Sequence, residues 1–236
     1  MFTTILVQPI YNLFVFLLGL VPQGDGVLAI VAMTLIMRAV LYPVFTASIR
    51  TQVGMQAMQP ELDAAEEKYK GDKEGLTRER IALLKKYKVN PFAGFGALII
   101  QLVVLIALYF ALFREGFPAI NEALLYSFVH VPAQISTTFF GLIDLMGSHH
   151  IPLAVLVGFT QYLAIRLTLR RTPSPTHPDK EALHRMQSNL MLYFMPALMV
   201  VVSYSFPAAI GVYFLTSNLV SVLQEYILTH KGKKEN

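Results

Sequence analysis

The 236-residue chain has no cysteine, and only 14% of its residues are charged. The missing thiol excludes disulfides, thiolate metal sites, a cysteine nucleophile and lipid attachment through an N-terminal cysteine. A soluble domain carries about 25% charged residues. With 55% hydrophobic residues and so few charges, the composition is that of a polytopic membrane protein whose charges are gathered into a few loops. The six histidines show no H-E-x-x-H spacing, so there is no zinc-protease signature, and no G-x-x-x-x-G-K-S/T loop exists to hold a nucleotide. A net charge of +4 is too small and too localised to indicate nucleic acid; membrane topology explains it better. Residues 1–24 hold no Lys or Arg and no small-x-small site before Gln23, so they lack the marks of a signal peptide.

What is present is a series of long apolar runs, one of which carries a charge. Val27–Phe45 is apolar apart from Thr34 and Arg38, and its 19 residues give roughly 28 Å of helix, nearly the hydrocarbon thickness of a bilayer. Arg38 lies seven residues from the Phe45 end, about 10 Å along a helix, and so reads as lying inside the membrane. A guanidinium keeps its proton there, at a cost of about 2.5–3.5 kcal/mol on the lenient insertion scale. Snorkelling to the headgroups is one explanation. A wet cavity between helices, where Arg38 acts on something that enters, is the other, and the rest of the chain favours it.

Before this run, Pro9 and Pro22 bracket 12 residues, about 18 Å of helix and too short to cross. Thr4, Gln8, Asn12 and Gly19 form one stripe, so residues 1–24 are expected to lie as an amphipathic helix on the outer surface. After it, residues 48–90 hold nine Lys/Arg and seven Asp/Glu. Met55, Met58, Leu62, Ala65 and Tyr69 make a seam, Gly71-Asp72 breaks it, and Leu76, Ile81, Leu83, Leu84 and Tyr87 give a second face. A cytosolic hairpin of two antiparallel helices is expected, ending at Asn90-Pro91.

Four further spans are expected over Phe92–Phe113 with Gln101, Ile151–Leu169 with Gln161 and Arg166, Leu190–Tyr204, and Pro207–Leu228. Residues 114–150 read as an outer loop with a short amphipathic piece near Ala119–Val131. Residues 170–188, with Pro173, Pro175 and Pro178, read as a polar connection, and 229–236 as a basic tail. The span over Leu190–Tyr204, interrupted by Pro196, measures only about 22–26 Å and suits a thinned bilayer. The hairpin, the connection and the tail hold 16 of the 19 Lys/Arg, and the opposite side only Arg114. Five spans with the N-terminus outside and the C-terminus in the cytosol satisfy the positive-inside rule. Arg166, near its cytosolic helix end, is accounted for by snorkelling. Arg38 is read as having no acidic partner in any span, so its hydrogen bonds are expected to go to water, with Gln101 and Gln161 as neutral neighbours. No repeat or long linker divides the chain, which reads as a single all-α domain over 1–236.

Several motifs in this order carry a resemblance: the buried Arg38 followed by Tyr42-Pro43, Met58-Gln59-Pro60-Glu61-Leu62, Glu67 through Lys73, Lys86-Tyr87-Lys88-Val89-Asn90-Pro91, Gln101, and Tyr213-Phe214-Leu215-Thr216-Ser217-Asn218 through Gln224. Each is weak alone, and together they resemble the YidC/Oxa/Alb family of membrane protein insertases over essentially the whole chain. The resemblance implies five helices around a hydrophilic groove open to the cytosol and the lipid and closed outside. It makes Arg38 the groove arginine and puts Gln161, Tyr213 and Phe214 near the groove or on the substrate-contacting helices; with Gln101, the neutral neighbour of Arg38, these are the expected substrate-binding residues. Phe214 departs from the family by standing where tryptophan is common, no cysteine follows Asn90-Pro91, and the large extracytoplasmic domain of many members is not expected here.

As an insertase the chain would need no cofactor and no catalytic residue. A wet groove with a fixed cation shortens the dry path for a substrate's polar, often acidic tail. Partitioning of the substrate's apolar segment into lipid, at about 25 cal/mol per Å², supplies the drive. The resemblance implies nascent membrane proteins and the lipid bilayer as partners, with the ribosome and the Sec translocon as further candidates, and a multi-pass location in the bacterial plasma (inner) membrane. Neither a nucleic-acid site nor a small-molecule substrate is expected. A small-solute transporter or channel is the alternative, but it would more usually show inverted repeats or paired broken helices. An intramembrane enzyme fits less well: His149-His150 and Asp144 fall in the outer loop, and His177 and His184 in the cytosolic one.

Overall fold

Pro9 does not bound the first helix. The computed structural model describes residues 3–90, 92–139, 142–170 and 185–232, and in it α1 runs unbroken over Thr3–Leu20 with a widened first stretch at Thr3–Val7. Pro9 falls at the junction of that widened stretch with the regular part, Gln8–Leu20, where the wider turn accommodates a ring that supplies no amide hydrogen. At 18 residues α1 is long and apolar enough to cross a membrane, so the expectation that it is too short is corrected. The middle of its polar stripe, Gln8 and Asn12, also faces protein, while Thr4 and Gly19 are exposed. Asn12 is buried; its Nδ2 donates to the Leu124 carbonyl at 2.8 Å and its Oδ1 accepts from the Tyr126 amide at 2.6 Å. Gln8 Nε2 donates to the same Leu124 carbonyl at 3.1 Å, and Tyr11 Oη accepts from the Asn121 amide at 2.7 Å.

The expected single span over Val27–Phe45 is two helices, α2 (Gly26–Val40) and α3 (Tyr42–Lys68), bent by 62° at Leu41. Asp25 starts α2 by accepting from the Val27 and Leu28 amides at 2.8 and 3.0 Å. Pro43 ends it, because its ring lacks an amide hydrogen and would collide with the preceding turn of a continuous helix. Arg38 therefore sits in the last turn of α2, at an elbow, rather than a third of the way along a straight span.

From the elbow α3 runs through Pro60 to Lys68, a turn with Gly71 at φ +95° follows, and α4 (Lys73–Lys86) returns antiparallel. Asp72 caps α4 through the Glu74 and Gly75 amides. Met58, Ala65 and Leu83 are buried between the two helices, as the seam requires, while Ile81 points outward. Val89 folds back onto Gly54, where a Cβ would stand 2.7 Å from the valine side chain.

Helix α5 (Ala93–Tyr109) continues through a widened turn at Phe110–Arg114. The outer segment that follows holds one short turn, Glu122–Leu124, and a two-stranded antiparallel hairpin, β1 (Thr138–Phe139) with β2 (Ile143–Asp144). No amphipathic helix forms over Ala119–Val131, because its backbone groups are taken by Asn12, Gln8 and Tyr11 of α1. Gly24, at φ +62°, lies so close to this segment that a Cβ would stand 2.0 Å from the Gln134 carbonyl oxygen. Ser136 exchanges backbone hydrogen bonds with Gly24 and Gly26.

Helix α6 (Ile151–Leu169) packs along α7 (Met195–Ser205) and α8 (Ala208–Gly232). The apolar helix that ends in α7 starts at Arg185 and spans 21 residues, so the expected short span is corrected. The widened stretch Leu190–Phe194 leads into Pro196 without a break. The first amides of α8 are bound by the outer segment: Ala208 donates to the Gly147 carbonyl at 2.8 Å and Ala209 to that of Leu145 at 3.1 Å. Pro91, Arg171, Pro173, Pro175, Pro178, Lys180, Lys233 and Lys234 lie outside the described residues.

By length and composition Thr3–Leu20, Ile151–Leu169 and Arg185–Ser205 can each cross a membrane, and the bent pair α2–α3 makes a fourth candidate. Ile99–Arg114 is a shorter apolar helix, and α8 is not among the candidates. The buried core runs from Tyr11, Phe14 and Leu18 through Ile30 and Met33 to Leu108, Leu112 and Tyr213. Val155, Leu156, Phe159, Tyr193, Phe194 and Val201 face outward on α6 and the helix leading into α7, an apolar exterior suited to lipid rather than water.

Candidate functional site

The elbow at Leu41 turns Arg38 into the space between α2, α3, α5 and α8. Its guanidinium carbon stands 4.2 Å from the centroid of Phe45. One amino group donates to Gln101 Oε1 at 3.4 Å, and Gln101 Nε2 donates in turn to Tyr213 Oη at 2.5 Å. Tyr213 is buried, and Arg38 and Gln101 are half-buried. The chain Arg38–Gln101–Tyr213 thus joins three helices far apart in sequence. It holds the cation with neutral groups and an aromatic face, which orient the charge without cancelling it.

Arg38 and Phe45 form a partition between two cavities. On one side a space of about 10 Å³ is lined by Thr34, Met37, Leu41, Gln101, Val104, Tyr213 and Ser217. On the other a cavity of about 120 Å³ is lined by Ser48, Ile49 and Gln52 of α3, Ala164 and Thr168 of α6, and Ser221, Gln224 and Glu225 of α8. Gln224 Nε2 donates to Thr46 Oγ1 at 2.9 Å and ties the last helix to the elbow. Gln52 Oε1 is buried and accepts no hydrogen bond among the described residues. A separate cavity of about 270 Å³, lined by Leu105, Ile106, Tyr109, Phe110, Val202, Phe206 and Ile210, is apolar.

The structure corrects the view that no span carries an acidic side chain near Arg38. Glu225, inside Pro207–Leu228, is buried at 5% exposure and lines the larger cavity together with Arg38. Its Oε1 accepts from Thr168 Oγ1 at 3.4 Å. The polar lining residues Ser48, Gln52, Thr168 and Ser221 also escaped the sequence reading. Tyr213, Ser217, Ser221 and Glu225 recur every fourth residue along α8, and that spacing is the signal that would have found the stripe.

Of the five expected site residues, Arg38, Gln101 and Tyr213 come together. Phe214 is half-buried, its ring 5.4 Å from that of Tyr213, and it packs on the core rather than lining either cavity. Gln161 is half-buried on α6, one turn before Ala164, and lines neither cavity. Arg166 points outward with its guanidinium 5.9 Å from the Tyr162 ring, as a snorkelling side chain would. His149 packs edge-on against Tyr204 at 4.7 Å, and among the described residues no cluster of His, Asp and Glu could hold a metal.

In the hairpin, Glu61 binds both Lys86, at 2.6 and 2.7 Å, and the Tyr87 hydroxyl, at 2.7 Å. Hydrogen bonding from these two residues, Lys86 first and then Tyr87, holds the Glu61 carboxyl below its usual range. The hydrogen bond to Glu61 raises the Lys86 ammonium in return.

Comparison with known proteins bears on this arrangement. A sequence profile of the family described as 60Kd inner membrane protein matches residues 21–235. The curated relatives include the proteins named membrane protein insertase YidC from Francisella tularensis subsp. novicida (strain U112) and subsp. holarctica (strain LVS). Each is 30% identical over 207 residues, covering 87% of this chain and 33% of the relative. The chain thus spans about a third of the length of the relatives it matches. A polytopic helical architecture and a profile match over nearly its whole length establish that the chain belongs to the 60Kd inner membrane protein family, the YidC/Oxa family of membrane protein insertases.

Proposed function

We propose that the chain is the groove-bearing core of a membrane protein insertase. It takes hydrophobic segments of nascent membrane proteins into the bilayer without nucleotide hydrolysis or any catalytic residue. The observation that carries this reading is the half-buried Arg38, held by Gln101, Tyr213 and Phe45, on the wall of a polar cavity inside an otherwise apolar bundle. A charge kept unneutralised in such a place is expensive. It is useful where a substrate's polar tail must be drawn part of the way across oil.

In this reading the elbow, α5, α6, the helix over Arg185–Ser205 and α8 are the five spans. The N-terminus is outside, the C-terminus in the cytosol, and the hairpin and the 120 Å³ cavity lie on the cytosolic side. The seams that join residues 117–150 to α1, α2 and α8 support an outer closure. The tail enters at the cavity, meets Arg38 and goes no further through the protein. The apolar segment leaves sideways into lipid, gaining about 25 cal/mol per Å² of surface removed from water. Arg38, Gln101 and Tyr213 are the substrate-contacting residues of this reading, and the location is the bacterial inner membrane.

The test is site-specific crosslinking from position 38 to a stalled nascent chain carrying one apolar segment. Adducts along the tail, fading once the segment is released into lipid, are expected. A transporter or channel for small solutes would give no nascent-chain adduct and would pass solute across sealed vesicles.

A further inference from the structure

The apolar cavity between α5, α7 and α8 takes no part in the arrangement around Arg38. Its walls are aliphatic and aromatic, and at about 270 Å³ it exceeds the ~150 Å³ of an apolar cavity that stays dry and takes up benzene. Ile210 at its back is buried, whereas Ile106, Tyr109 and Phe206 at its mouth are exposed. An apolar mouth on the outside of a membrane protein meets acyl chains, not water. A single turn of helix, 10–12 Å across and 5.4 Å high, occupies more than about 400 Å³, so a transmembrane segment does not fit inside. One acyl chain does.

The cavity also has a charge at one end. Phe110 belongs to its wall, and the guanidinium carbon of Arg114 lies 5.1 Å from the centroid of that same ring. Arg114 is exposed and makes no ion pair among the described residues. The next residue, Glu115, is engaged by Asn121, whose Nδ2 donates to it at 2.9 Å. Arg114 closes the apolar helix Ile99–Arg114, and Leu105, in the cavity wall, lies nine residues back, about 13 Å deeper along the axis. A cation at a helix end reaches for headgroups. Here that cation and an apolar slot share one ring, which is the spacing of a headgroup and the start of its own chain.

We propose that the chain binds an anionic phospholipid at this place, with one acyl chain in the cavity and the phosphate against Arg114. The site goes beyond the insertase reading and does not depend on it; in the orientation of that reading it lies in the outer half of the bilayer. The cavity accepts a chain of any phospholipid. Arg114 supplies the selectivity, because a headgroup of net negative charge satisfies the guanidinium while the ammonium of a zwitterionic one opposes it.

The chain has no tryptophan, so Tyr109→Trp puts a single fluorophore at the mouth. The full chain carrying it is reconstituted in phosphatidylcholine vesicles doped with phosphatidylglycerol or phosphatidylcholine brominated on the acyl chains, which quench on contact. Half-quenching should need about fivefold less of the brominated phosphatidylglycerol, the worth of one basic residue at a lipid surface. Adding Arg114→Gln should bring the two lipids level, and Arg114→Lys should keep most of the difference. Phe159→Trp, at an exposed position on α6, should show no preference. Equal quenching by the two lipids at position 109 overturns the proposal, as does a preference that survives Arg114→Gln or that appears equally at position 159. If neither lipid quenches and a photoreactive residue at position 109 captures a stalled nascent chain instead, the cavity belongs to the substrate and the proposal fails. A lipid preference in a protein that inserts nothing would count against the insertase reading alone.

Discussion

The guanidinium of Arg38 and the ring of Phe45 are in contact at 4.2 Å across seven residues, although in one straight helix these positions would be separated by about 10 Å along the axis. The 62° bend at Leu41 is what closes the gap. Pro43 thus does more than end a helix. It folds the following turn back over the cation, so that one face of the guanidinium is covered by an aromatic ring while an amino group reaches Gln101 at 3.4 Å. Contact with a ring face stabilises a cation by about 0.5–2 kcal/mol and leaves its charge in place.

That arrangement fixes what a substitution at position 38 should do. Arg38→Lys keeps the charge but loses the planar group that stacks on Phe45 and reaches Gln101, so it should retain most of the insertion of substrates with acidic tails. Arg38→Ala should lose about tenfold or more, the worth of one desolvated charge contact of about 1.5–3 kcal/mol. Vesicle insertion assays with acidic and neutral tails measure both, and equal activity of all three proteins contradicts a role for the charge.

Asn12 is the buried tie between α1 and the outer segment, through Leu124 and Tyr126. Asn12→Leu should destabilise the protein by about 1–3 kcal/mol, because the Tyr126 amide is left without its acceptor. Gln8→Ala should cost less, since the Leu124 carbonyl keeps its bond from Asn12. Thermal unfolding in detergent should rank the two variants in that order.

The hairpin should respond to pH through Glu61 and Lys86. The folded Glu61 carboxyl is held below its ordinary 4.5, so its contribution is complete above that value and is lost as pH falls through the lowered one. Lys86 is raised from 10.5, so its contribution is complete below that value and is lost as pH rises through the raised one. Label pairs at the exposed positions Glu67 and Arg78, made possible by the absence of native cysteine, should report a hairpin closed between these limits and loosened beyond them. In Glu61→Gln that pH dependence should disappear, and because the pair is exposed its effect should weaken with salt.

Much of this was legible in the sequence because it follows from periodicity and punctuation. The seam through Met58 and Ala65 and the break at Gly71-Asp72 give the hairpin directly. The apolar runs give the helices of the bundle, and Arg38 marks its cavity. What was not legible depends on how prolines are absorbed. Pro43 bends a run that hydropathy alone reads as continuous, whereas Pro9 and Pro196 are carried without a break beside widened turns. Tertiary partners decided the rest. Gln8 and Asn12 of α1 read as part of a wet face, yet they bind the outer segment, whose backbone is thereby kept from forming a helix. Gln161 reads as a groove residue by type and depth, but a turn of α6 separates it from the cavity wall at Ala164.

Access to the cavity tests the central claim most directly. Single cysteines at Thr34, Arg38, Gln101 and Gln161, in a chain with none of its own, are exposed to a membrane-impermeant thiol reagent in right-side-out and in inverted vesicles. Position 38 and at least one of the two glutamine positions should label from the cytosolic face alone; the structure favours Gln101, which borders the same partition as Arg38. Labelling from both faces would mean a transmembrane channel. Protection from both would mean a dry bundle, and either result contradicts a groove that is wet from the cytosol and closed outside.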